Sequence, residues 1–247
     1  MTPPQSAAIV ARSPARLTAG IFDVDGVLLA SPHERAWREA LTGYADPARF
    51  STAMYQAEVA GKPRQDGARA ALEALGVAHA DRRAEAYATA KQARLEELIH
   101  AGAVSAFPDA LRFVEALAER GFAMAVASSS KNANAMMRPI RLPSGASLLD
   151  LFAANLCGRD LKHGKPDPEI FLLAAGALHT APEECFVAED ATAGVEAASA
   201  GRMRALGVAR LGDAKPLEAA GADLVVTSLD QVDVSALVHG RLGRWAT

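Results

Sequence analysis

Six short runs that are apolar along nearly their whole length set the limits on this fold. They lie at 17–24, at 121–127 (GFAMAVA), near 152–156, at 185–188 (CFVA), near 204–208 and at 223–227 (DLVVT). A strand with one wet face alternates polar and apolar residues, so a strand that does not alternate is buried on both faces. Helical patterns separate the runs: PDALRFVEALAER (108–120), PDPEIFLLAAGAL (166–178) and AGVEAASAG (193–201). Buried strands alternating with helices predict an α/β fold with a doubly wound parallel sheet. Between the first two runs lie about ninety residues, too many for one crossover. Their patterns (REAL, GARAALEALG, RRAEAYATAKQARLEELI) are helical and contain no strand pattern, which predicts an inserted α-helical domain. The expected organisation is a flexible leader over 1–16, a discontinuous core over 17–32 and 103–240, a helical cap over 33–102 and a tail over 241–247.

Composition excludes several classes of function. The net charge of −3 argues against a nucleic-acid partner, which calls for a basic face. No apolar run approaches the roughly 20 residues that cross a bilayer. The apolar centre of the leader, AAIV, is too short for a signal peptide. Cys157 and Cys185 lack metal-type spacing and read as reduced core thiols, which points to a cytoplasmic protein.

In a doubly wound sheet, ligands sit beyond the carboxyl ends of the strands. The residues that follow the apolar runs are therefore the candidates for chemistry. After the first come Asp23 and Asp25, and after the second Ser128, Ser129, Ser130, Lys131 and Asn132. Lys165 lies in the loop HGKPDPEIF, and Glu189 and Asp190 follow CFVA. Strand alternation turns Asp23 and Asp25 the same way and Val24 into the core, and Gly26 permits the sharp turn beyond them. Four acids close together cannot all remain ionised without a cation. Oxygen ligands with no His or Cys at hand favour Mg2+, and Lys165 would offset the remaining charge. Taken singly, DVDG fits a strand-end turn as well as a catalytic pair. SSSKN alone fits a helix cap better than an anion site. In GKPDP, Lys165 is held out of the helical region by Pro166, which is expected to start the next helix. GRDLKHGK (158–165) is close to a phosphate-binding P-loop, but has five residues between its glycines and Pro166 where Ser or Thr is needed.

Together DVDGVLLAS, ASSSKN, GKPDP and AEDATAGVEAASAG, in this order over about 20–201, resemble the four motifs of the haloacid dehalogenase superfamily. Members share a Rossmann-like core, and the helices between the first two motifs resemble the superfamily's small helical cap. The second aspartate resembles the phosphoryl-transfer members, since the dehalogenases proper lack it. Within the superfamily, HERAW (33–37) and GKPRQDG (61–67) are similar to segments of the beta-phosphoglucomutase-like subgroup. The resemblance implies that Asp23 is the nucleophile and Asp25 the acid/base group, and that Ser128 and Lys165 bind the transferring phosphoryl group. Asp23, Asp25, Glu189 and Asp190 would hold Mg2+. His33, Trp37, Gly61, Arg64, Lys91, Ser129, Ser130, Lys131 and Asn132 would contact the substrate. Singly, His33 reads as an exposed helix-start residue, Trp37 as cap core, and Arg64 and Lys91 as solvated charges. Their joint match favours the functional reading.

The implied activity is Mg-dependent phosphoryl transfer on a small sugar phosphate through an aspartyl-phosphate. It would convert beta-glucose 1-phosphate to glucose 6-phosphate, with glucose 1,6-bisphosphate as activator and a monomer as the working unit. The alternatives are a sugar-phosphate phosphatase and a non-catalytic phosphosugar-binding protein. The chain also departs from the subgroup. Its segment after DVDG is about two residues short of the subgroup's, Ala30 replaces an acid, Ala60 replaces a lysine, and Gly67 replaces a small polar residue. These departures bear on the pocket and on cap closure more than on phosphoryl chemistry.

Overall fold

The computed structural model describes residues 16–142, 144–212 and 214–245. The expected leader lies outside the described residues, except for Arg16. The chain opens with β1 (Ala19–Phe22), the short β2 (Leu29–Ala30) and α1 (His33–Glu39). Helices α2 (Thr52–Met54), α3 (Arg64–Ala74) and α4 (Ala80–His100) follow, with a π-turn at Tyr55–Val59 between α2 and α3. The chain returns through β3 (Ser105–Ala106), α5 (Pro108–Ala118), β4 (Ala123–Val126), α6 (Ala133–Met137) and β5 (Ala154–Asn155). It ends with α7 (Glu169–Ala177), β6 (Cys185–Glu189), α8 (Thr192–Ala200), β7 (Arg204–Val208), α9 (Ala214–Ala219), β8 (Leu224–Val226) and α10 (Val234–Val238).

All six expected strands enter one sheet, in the order β5-β4-β1-β6-β7-β8, and every pairing is parallel. Alternation along the strands explains why they read as apolar throughout. Phe22 and Phe186 join one face with Phe113 and Leu117 of α5 and Met136 of α6. Ile21 and Val187 join the other with Phe171 of α7 and Val195 of α8. Burying each of these side chains contributes about 1.5–3 kcal/mol, and both layers depend on it. The chain winds outward from β1 in both directions, so the crevice at the switch point opens beside β1.

Helices α1 to α4 form a layer with its own core of Trp37, Leu41, Phe50, Leu72 and Tyr87. The chain leaves the sheet through β2 and returns through β3, and the two pair antiparallel (Leu29 with Ala106, Ala30 with Ser105). We propose that this ribbon is the hinge of a cap over 33–102. Arg210, just past β7, ties both of its limbs to the sheet. It donates to the carbonyls of Gly26 and Val27 at 2.9 Å, and its guanidinium stacks 3.7 Å from the centre of the Phe107 ring. Asp109, buried at the start of α5, holds the same guanidinium at 3.0 and 3.1 Å.

The structure departs from the sequence pattern in two places. The helix after GKPDP begins at Glu169 rather than at Pro166. The Asp167 carboxylate accepts from the Glu169 N–H at 2.9 Å, a turn that competes with helix. The tail set apart at 241–247 is docked as far as Trp245, where Asp233 N–H donates to Gly243 and Trp245 N–H to Gln231. Cys157 and Cys185 carry free thiols. Among the described residues, no helix is long and apolar enough to cross a membrane.

Candidate active site

Asp23 prolongs β1 by one further bond, its N–H donating to Ala188 of β6 at 3.0 Å, and its side chain emerges at the crevice. Val24 is buried in the core behind it, as the alternation requires. At Gly26 the chain turns with φ of +78°. A Cβ there would lie 2.0 Å from a carboxylate oxygen of Asp190, so the position needs glycine on both conformational and steric grounds.

Lys165 lies among these acids with its side chain wholly buried. Its ammonium donates to Asp23 Oδ1 at 2.6 Å and makes a close contact with Glu189. Burial alone would lower its pKa, but Asp23 and Glu189 more than offset that and hold it above the usual lysine range. The other oxygen of Glu189 accepts the Ala191 N–H at 3.0 Å. Burial raises the pKa of Asp190 well above its ordinary value, and Glu189 and Asp23 add repulsion. Burial likewise raises Asp25, with Ser31, Lys91 and Lys165 opposing. Its Oδ1 is buried without a partner, and its Oδ2 stands 3.6 Å from His33 Nε2.

The cap supplies the opposite wall. Lys91, buried within α4, approaches His33 Nδ1 at 2.9 Å and sits over the Trp37 ring at 4.7 Å. Burial, reinforced by Lys91, keeps the His33 imidazole neutral by pushing its pKa well below the usual value. A neutral ring that accepts from Lys91 at Nδ1 carries its proton on Nε2, which faces Ser130 Oγ at 3.3 Å as well as Asp25. His33 thus lies inside the site, not on the exposed surface. Trp37 walls the cavity and belongs equally to the cap core, its ring centre 5.3 Å from that of Tyr87. Gly67 is also explained, since a Cβ there would come within 3.4 Å of both Trp37 and Val59.

In the SSSKN segment, Ser128 Oγ accepts from the Ser130 N–H and Ser130 Oγ from the Asn132 N–H, at 3.1 and 3.2 Å. These hydroxyls cap local amides, and the helix that follows has five residues. Ser129 Oγ is buried and unpartnered. Lys131 reaches Asp160 at 2.9 Å, and Asn132 exchanges two hydrogen bonds with Gln92 of the cap, each 3.2 Å. Gly61 and Arg64 enter from the cap side, Gly61 with φ of +76° against Lys165 and Ala191. Of the candidate site residues, all but the buried pair Lys165 and Glu189 line one cavity of about 600 Å³. Tyr55, Gln56, Gln92, Arg159 and Arg210 line it too and were not singled out from the sequence.

Among the described residues, no three His, Cys, Asp or Glu side chains converge as a complete protein-built metal cage. Magnesium does not need one, because it keeps several waters and takes one or two carboxylates plus phosphate. The carboxyls of Asp23 and Asp190, raised by burial, together with the Asp25 carbonyl make an all-oxygen donor set that fits that ion.

A protein-family model described as haloacid dehalogenase-like hydrolase matches residues 18–202. Beta-phosphoglucomutase of Mycobacterium bovis is 32% identical over 253 residues, which span 89% of this chain and 92% of that protein. Phosphorylated carbohydrates phosphatase of Thermotoga maritima is 33% identical over 215 residues, spanning 85% and 94%. The solved archaeal beta-phosphoglucomutase of Pyrococcus sp. strain ST 04 superposes with a TM-score of 0.71 at 30% identity, covering 90% of this chain and 99% of its own. The chain belongs to the haloacid dehalogenase-like hydrolases, in their beta-phosphoglucomutase-like group, and is an enzyme of the phosphotransferase and hydrolase kind.

Proposed function

We propose that the protein is a beta-phosphoglucomutase, converting beta-glucose 1-phosphate to glucose 6-phosphate through a phosphoaspartate on Asp23. The observation that carries this reading is the roof over the aspartate pair. His33 of the cap faces Asp25 with Lys91 bonded behind it, and Gln92 is hydrogen-bonded across to Asn132 of the core. Such a roof keeps water from the phosphoaspartate, so that a sugar hydroxyl becomes the acceptor.

Lys165 engages Oδ1 of Asp23, which leaves Oδ2 for in-line attack on phosphorus. Asp25, its pKa raised by burial, protonates the departing sugar oxygen and later takes the proton of the incoming hydroxyl. His33 steadies Asp25 from the cap side. Ser128 and Lys165 bind the transferring phosphoryl oxygens. Arg64, Ser130, Lys131 and Asn132 hold the second phosphate, for which Lys131 must leave Asp160, while Asn132 keeps Gln92 and offers its second amide hydrogen. Gly61 brings backbone close to the sugar, and Ser129 offers its free hydroxyl. Asp23, Asp190 and the Asp25 carbonyl, with Glu189 beside them, would hold Mg2+, which supplies charge neutralisation at the phosphoryl group. Glucose 1,6-bisphosphate would prime Asp23 by donating a phosphoryl group, and one chain would suffice.

The second reading is a sugar-phosphate phosphatase, favoured by the short segment at β2 and by the likeness to the Thermotoga phosphatase. One assay separates the two. Purified protein is given beta-glucose 1-phosphate, Mg2+ and catalytic glucose 1,6-bisphosphate, and glucose 6-phosphate and inorganic phosphate are measured together. The mutase reading expects isomerisation to exceed phosphate release, and release as the main outcome replaces it with the phosphatase. Absence of both products removes the mutase reading, and negligible phosphate release across a panel of sugar phosphates removes the phosphatase. The Asp23→Asn variant is expected to lose both products.

A further inference from the structure

Three buried side-chain oxygens among the described residues have no hydrogen-bond partner: Asp25 Oδ1, Ser129 Oγ and Gln56 Oε1. All three residues line the same cavity. The first two belong to the phosphoryl-transfer edge of the sheet. Gln56 comes from the cap, and a carboxamide neither attacks phosphorus nor titrates. Leaving a buried acceptor unsatisfied costs about 1–3 kcal/mol, so its retention calls for an explanation.

The backbone around Gln56 is also unusual. The Ala60 N–H bonds to the Tyr55 carbonyl at 2.9 Å, five residues back, where an α-helix would bond four back. Such π-turns insert one residue, re-aim the side chains of the turn, and recur at functional sites. Here the turn sets Tyr55 and Gln56 into the cavity wall. The carboxamide oxygen accepts hydrogen bonds and cannot bind an ionised phosphate oxygen, which has no proton to give. The partner it lacks is a hydrogen-bond donor, which a sugar hydroxyl supplies.

We propose that Gln56 is a specificity-determining residue that accepts a hydrogen bond from an unphosphorylated ring hydroxyl of the substrate. This rests on the reading of the substrate as a sugar phosphate. A site built to bond a hydroxyl discriminates strongly against an analogue lacking it, because the protein group is again left unpaired.

The test compares the parent with Gln56→Met, nearly equal in volume, on glucose 1-phosphate and its 2-, 3- and 4-deoxy analogues. Melting temperatures are measured alongside kcat/KM. One deoxy analogue is expected to lose about tenfold or more in the parent, the value of one neutral hydrogen bond. Gln56→Met should show a similar loss on glucose 1-phosphate, no further loss on that analogue, and an undiminished melting temperature. Gln56→Glu, which keeps an acceptor at the same reach, should retain the discrimination at a lower overall rate and covers the case of a Met variant that fails to fold. A parent that discriminates among none of the deoxy analogues, or a Gln56→Met that keeps the parent's discrimination, overturns the inference alone. A parent that transfers phosphate from no sugar phosphate overturns it together with the reading it rests on.

Discussion

Lys91 shows how burial sets the charge of a residue. Burial pushes its pKa down to about 7, with Asp25 opposing and Arg64 adding to the shift. In the free enzyme its proton is therefore bound below that pH and lost as the pH rises through it. Attraction for an anionic substrate follows the proton, so kcat/KM should fall above pH 7, by about tenfold per unit at the steepest, as the free-enzyme profile requires. Lys91→Met should lose this limb, and a limb that persists in the variant would assign it to another group. Asp23, Asp25, Lys165 and Asp190 were legible in the sequence because each follows an apolar run or sits in a recurrent motif. Gln56, Gln92 and Arg210 were not. Gln92 meets Asn132 and Arg210 meets Gly26 across long stretches of chain, and nothing in the local pattern marks either residue.

Among the elements, the cap loop packs tightly on the GKP loop where Pro63 meets Gly164. A Cβ on Gly164 would lie 2.0 Å from Cγ and 2.4 Å from Cδ of Pro63, atoms of a stiff ring that cannot swing aside. Gly164→Ala should therefore hold the cap slightly open while leaving the core intact. Under the mutase reading, phosphate release should rise relative to isomerisation with little change in melting temperature. An unchanged ratio would show that the loops need not meet during turnover. The strands and the longer helices were readable, because β6 and α5 present unbroken apolar patterns. The ribbon of β2 and β3 was not, since two residues on each side give no period to detect. The π-turn also escaped, because its extra residue leaves a pattern that still reads as helix.

For the whole molecule, the carboxyl edge of the sheet concentrates Asp23, Asp25, Glu189 and Asp190 around Lys165. Burial raises all four carboxyls above their ordinary values in the folded protein. Raised folded-state values mean that the cluster removes stability as the pH climbs from the unfolded-state range through the folded one. A bound divalent cation reverses that. Adding Mg2+ at neutral pH should raise the melting temperature relative to EDTA, with a gain of about 2.7 kcal/mol at a hundredfold excess over Kd. Asp190→Asn should shrink the gain, and a parent insensitive to Mg2+ would argue against the metal site.

The residues alone decided the parallel sheet, the inserted helices and the gathering of acids, hydroxyls and a lysine at the strand ends, because burial on both faces and strand-end position leave local marks. Only the tertiary structure decided what faces that chemistry. Which cap atoms stand over Asp25, which hydroxyls are already taken by local amides, and which acceptor is left waiting depend on segments far apart in the chain meeting across the hinge.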